Sequence, residues 1–112
     1  MRAFKEKKTE TADFIFYYNQ GKEEYEQKNK KAIVSYKKAE QIRSDDADLL
    51  YNMSLAYLFL EQDKLKAAEY LRKSIDSNTA YKQIAINQRI RNEMGNDIFD
   101  AIIKNSKEGD RK

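Results

Sequence analysis

The stretch Ala47-Asp48-Leu49-Leu50-Tyr51-Asn52-Met53-Ser54-Leu55-Ala56-Tyr57-Leu58-Phe59-Leu60 decides how the chain folds. At about 100° per residue, Leu49, Leu50, Met53, Ala56, Tyr57 and Leu60 share one face of a helix, and Tyr51, Leu55, Leu58 and Phe59 share the opposite one. Asp48, Asn52 and Ser54 are the polar interruptions. A helix that is apolar nearly all round must be covered on two sides, and fourteen residues are too few for a bilayer span. The stretch therefore reads as the middle helix of a stack.

Composition sets the class. The chain has 112 residues, no Pro, no Cys, no His and three Gly, with 40% hydrophobic and 37% charged residues. Few helix breakers and a balanced apolar content predict one all-α domain. The lack of Cys and His removes thiolate metal sites, a cysteine nucleophile, and the commonest metal ligand and general base. The carboxylate groups Glu23, Glu24, Glu26 and Asp45, Asp46, Asp48 lie among lysines or at helix ends, where solvation explains them. We therefore expect no catalytic residue, no metal and no cofactor. The net charge of +3 is spread along the chain. The N-terminus has basic residues but no apolar stretch of a signal peptide, so the chain as it stands reads as cytoplasmic, with a periplasmic or membrane-anchored protein as the alternative if a leader is missing.

Working outward from the central stretch, residues 1–9 are expected to be a flexible segment, with Thr9 or Thr11 capping a first helix to about Lys28. Phe14, Tyr18, Gly21 and Tyr25 line one face of it. A turn around Gln27–Lys30, where Asn29 tolerates the left-handed conformation that closes helices, leads to a second helix, about Lys30 to Arg43, that buries Ala32, Ile33, Tyr36, Ala39 and Ile42. Ser44-Asp45-Asp46 supplies the next N-cap. After the central helix, a polar turn at Glu61–Lys64 precedes a fourth helix that buries Ala67, Ala68, Leu71 and Ile75. A fifth helix, about Ala80 to Met94, carries two stripes, Tyr81, Ile84 and Ala85 against Ile86, Ile90 and Met94. Gly95 ends it, and Ile98, Phe99, Ile102 and Ile103 form a short cap.

Two hairpins repeat. Ala32, Tyr36 and Ala39 match Ala67, Leu71 and Ser74 at a shift of 35, and Tyr18, Gly21 and Tyr25 match Leu50, Met53 and Tyr57 at a shift of 32. The pattern resembles the tetratricopeptide repeat, bulky-x2-Leu-small-x2-Tyr followed by Ala-x3-aromatic-x2-Ala. Two departures stand out: Lys22 falls where a small residue is wanted, and the closing Pro is missing. The resemblance implies a right-handed α-α superhelix, with repeat 1 at about 12–46, repeat 2 at about 47–78, capping helices at 79–105 and a flexible tail at 106–112.

What the resemblance implies for function is a non-enzymatic adaptor or scaffold that takes a protein, peptide or partner helix in a concave groove. The implied groove residues are Phe16 and Asn19 from the first helix, Asp48, Tyr51, Asn52, Leu55 and Phe59 from the central one, and Gln83 and Asn87 from the fifth. One branch of the family clamps acidic C-terminal tails. At the matching places this chain has Tyr18, Lys22, Asn52, Gln83 and Asn87, and Asn52 alone agrees. The alternative function is nucleic-acid binding by Lys22, Lys28, Lys30, Lys31, Lys37 and Lys38, weakened by the interspersed Glu23, Glu24, Glu26 and Glu40. Two repeats are few for a solenoid, so a homo-oligomer is also a possibility. Richness in Lys, Asn and Ile suggests a bacterial protein, a class in which such short arrays serve as envelope assembly factors.

Overall fold

The computed structural model describes residues 2–86 and 90–104, with side chains from residue 10 onward. Among the described residues it is all helix: α1 (Arg2–Glu26), α2 (Lys31–Ile42), α3 (Ala47–Leu60), α4 (Lys64–Ser77), α5 (Ala80–Ile86), α6 (Ile90–Met94) and α7 (Asn96–Lys104). The order is two antiparallel hairpins, α1/α2 and α3/α4, followed by α5 and α6 against the second hairpin and α7 against α4 and α6.

Short polar signals end each helix. Asp46 caps α3, its Oδ1 accepting the Leu49 amide at 2.9 Å, and Asp63 caps α4, accepting the Lys66 amide at 3.0 Å. The left-handed residues that turn the chain are Lys28 (φ 59°) and Gln62 (φ 54°), not Asn29, whose side chain instead accepts the Lys31 amide. Gly95, at φ 103°, ends α6 as expected, since that conformation is open to glycine. At the other end, α1 runs back to Arg2, so neither Thr9 nor Thr11 caps it. Arg2, Ala3, Lys5, Glu6, Lys7 and Lys8 are strong helix formers and carry the helix past both threonines.

Helix α3 is the sandwiched element its sequence demands. Leu49, Leu50, Tyr51, Met53, Ala56, Tyr57, Leu58 and Leu60 are all buried. Its Ser54 hydroxyl donates to the Ala67 carbonyl at 2.7 Å, and Ser74 of α4 returns a bond to the Ala47 carbonyl at 2.8 Å, so the hairpin is tied at two levels. In the fifth-helix region, Ala85, Ile90 and Met94 are buried as expected, but Ile84 is 38% exposed. The apolar face of α7 buries Phe99 and Ile102, and Arg91 of α6 lies over the Phe99 ring while its guanidinium pairs with Asp100 at 3.3 Å.

The repeat register differs from the sequence reading by one residue. Glu24 meets Ser35 as Tyr57 meets Tyr70, and Ser35 and Tyr70 are themselves 35 apart. This pairs Glu24 with Tyr57, and with it Gly21 with Ser54, a shift of 33 rather than 32. The small residue that the repeat wants is therefore Gly21, and Lys22 is an exposed neighbour of that position rather than a misfit in it.

Candidate functional site

The first helix of each hairpin and α5 lie side by side, and their exposed edges form one face of the array. On α3 the residues of this face are Asp48, Asn52, Leu55 and Phe59, spaced 4, 3 and 4 apart and so stacked along one line of the helix. The N-terminal half of that line is polar and the C-terminal half apolar. Asp48 is its hub. Its carboxylate accepts the hydroxyl of Tyr18 from α1 and that of Tyr81 from α5, the latter at 3.1 Å. Asn52 completes the cluster, its amide donating to Tyr18 Oη and to the Asp48 carbonyl, both at 2.8 Å. Lys22 stands above the Tyr18 ring, 4.9 Å from its centre.

Electrostatics follow from this arrangement. Burial, then the bond to Asp48 and its charge, push the Tyr18 phenol well above its ordinary value. The Tyr81 phenol is pushed up to about 12 by burial and by Asp48. Both hydroxyls therefore remain donors at neutral pH.

At the apolar end, Phe59 and Leu60 of α3 face Tyr25, Glu26 and Lys28 at the end of α1 across a cleft of about 490 Å³. Phe59 and Leu55 are half-buried. This cleft is large enough for one apolar side chain of a partner.

The other expected groove residues lie elsewhere. Tyr51 is beneath the face rather than on it, 7% exposed with the Tyr81 ring tilted over it at 5.5 Å. Phe16 is 61% exposed but two positions from Tyr18, on the far side of α1 and edge-on to Tyr17, so it does not join the Asp48 cluster. Asn19 is exposed on α1. Gln83 is exposed at a separate cleft of about 460 Å³ with Asn78, Thr79 and Ile86. Asn87 lies outside the described residues. The residues that sequence reasoning left out of the groove are Tyr18, placed in the core by its spacing, and Tyr81, two positions before Gln83. The signal for Tyr81 was present in the aromatic itself, since a tyrosine in a stripe that also meets solvent has a ring to bury and a hydroxyl to bond.

Among the described residues no group of three or more acidic side chains is arranged to hold a metal, and no helix is long and apolar enough to cross a membrane.

Residues 16–60 match the family model of the TPR repeat. That stretch is similar to the tetratricopeptide repeat. The matched stretch covers most of the packed part of α1, all of α2 and all of α3, so it contains the Tyr18–Asp48–Asn52 cluster and both walls of the Phe59 cleft. No curated protein and no solved structure matches the chain. Similarity to the tetratricopeptide repeat over this stretch supports a protein–protein interaction module in general terms.

Proposed function

We propose that this TPR array is a non-enzymatic adaptor that binds a peptide segment or partner helix along α3, with an apolar side chain in the Tyr25–Phe59–Leu60 cleft and a hydrogen-bond donor or cation at Asp48. The observation that supports it most is the division of the α3 line into a polar half fixed by three helices and an apolar half ending in a cleft. Such a line gives a partner both an anchor and a register. An acidic tail is a poor occupant, because its carboxylate would meet Asp48 rather than a set of cations. An assembly factor, bacterial by its composition, is the kind of protein in which we place the module.

The test starts from peptides selected by display against the purified chain. Their affinity is measured for wild type, for Asn52→Ala with Phe59→Ala, and for Lys30, Lys31, Lys37 and Lys38 changed to Ala, at about 50 and 200 mM salt. Groove binding predicts a large loss in the first variant and little salt dependence, since apolar anchors dominate. If the lysine variant alone loses binding and added salt does the same to wild type, the site is the basic face of α2 and the groove reading fails.

A further inference from the structure

We propose that the open end of the array is a self-association surface on which a second copy of this chain docks, open end to open end, across a twofold axis. This surface is separate from the groove and does not rest on the groove reading. The two ends of the stack differ. At the C-terminal end α7 lies against α4 and α6 and buries Phe99 and Ile102. At the other end nothing within the described residues lies against the outer faces of α1 and α2. Phe16 is 61% and Val34 55% exposed there, and between the two helices runs a groove of about 310 Å³ that Val34 lines together with Gln20, Glu24, Lys31 and Lys38. Phe16, Gln20 and Glu24 are each four apart and form one line along α1, while Lys31, Val34 and Lys38 form its counterpart along α2.

The charges on this end say what fits it. In the lining of this groove the acid, Glu24, lies on α1 and the bases, Lys31 and Lys38, lie on α2 on either side of Val34. The Glu24 carboxylate is held by the Ser35 hydroxyl at 2.6 Å and does not form an ion pair with Lys31 or Lys38 among the described residues. A surface with acid on one helix and base on its neighbour is complementary to itself when turned through a twofold axis. The α1 of one copy then lies on the α2 of the other, placing Glu24 opposite Lys38 twice, with Phe16 and Val34 of both copies covered between them. That is the pattern of an isologous interface, in which residue i meets j and j meets i.

Sedimentation equilibrium of the whole chain, from micromolar to millimolar concentration, tests the proposal. Wild type is expected to be a monomer–dimer equilibrium. Lys38→Glu sets Glu24 against an acid, and Glu24→Lys sets Lys38 against a base, so each variant alone should dimerise at least about tenfold more weakly. Mixed together, the two variants have both pairs restored, and a heterodimer of wild-type affinity should form. Val34→Glu, at an exposed site, gives a third variant and should be monomeric. A wild type that stays monomeric at millimolar concentration overturns the proposal. So does a dimer that none of the three variants weakens, or single-variant losses that mixing does not repair.

Discussion

Gly21 and Tyr36 fill one space: a Cβ added to Gly21 would lie 2.5 Å from the Tyr36 ring, which is itself fully buried. The hairpin α1/α2 is thus as close as its side chains allow, and the closeness depends on one missing methyl. Gly21→Ala gains helix propensity worth about 1 kcal/mol, but the ring is enclosed and has nowhere to go. We expect a net loss of about 1–3 kcal/mol from overpacking, read as a lower denaturation midpoint. Equal or higher stability would show that the helices can separate freely.

The tyrosine hydroxyls divide into two kinds. Those of Tyr36 and Tyr51 are buried with no hydrogen-bond partner among the described residues, whereas Tyr18 bonds Asp48 and Tyr70 bonds Glu40 at 3.1 Å. Removing an unpaired buried hydroxyl relieves a cost, and removing one bonded to a carboxylate loses about 1.5–3 kcal/mol. Tyr36→Phe and Tyr51→Phe should leave stability unchanged or raise it. Tyr18→Phe and Tyr70→Phe should lower it, and equal losses across all four would contradict this division.

Alkaline pH should unfold the protein through these same groups. Burial holds Tyr18, Tyr36 and Tyr70 well above the ordinary phenol value of 10.0 and holds Tyr51 at about 12. A raised folded value means that the unfolded chain loses its protons first as pH climbs. This contribution is therefore complete below pH 10.0 and declines above it, by up to about 1.4 kcal/mol per pH unit for each phenol, until the folded values are reached. Denaturant midpoints measured from neutral to strongly alkaline pH should hold level and then fall steeply. A midpoint that does not fall while phenolate absorbance shows the tyrosines still protonated would contradict the linkage.

Helix α7 should be part of the core rather than an appendage. Phe99 is 1% exposed, so Phe99→Ala is expected to cost about 3–5 kcal/mol, while Leu65→Ala, at a residue 75% exposed, should change little. Calorimetric melting of the two variants checks the difference. Equal, small effects would make α7 a loosely attached tail.

Much of this architecture was legible in the residues, for reasons that also explain what was not. Ala32, Tyr36 and Ala39, like Ala67, Leu71 and Ser74, announce the second helix of each hairpin because small residues must face the neighbouring helix there. The register of α1 was harder, since Phe14, Phe16, Tyr17 and Tyr18 are all aromatic and period alone cannot say which ring turns inward. Contacts settle it through Gly21. The turn residues were read by type, favouring Asn29, whereas the left-handed positions fall to Lys28 and Gln62 by where the hairpins must close. In the groove, the line Asp48, Asn52, Leu55, Phe59 follows from helical spacing within one element. Tyr81 belongs to another helix, and its arrival at Asp48 depends on how far α5 is displaced along α3, a quantity no local pattern encodes.

Asp48 of α3 bonds at once to Tyr18 of α1 and to Tyr81 of α5. The spacing of the three groove helices is therefore set before any partner arrives, and the floor of the groove has little freedom left to surrender. Recognition on such a floor is a docking of preformed shapes, with small entropic resistance from the receptor side. Variation among ligands should then appear in how long they stay rather than in how fast they come on.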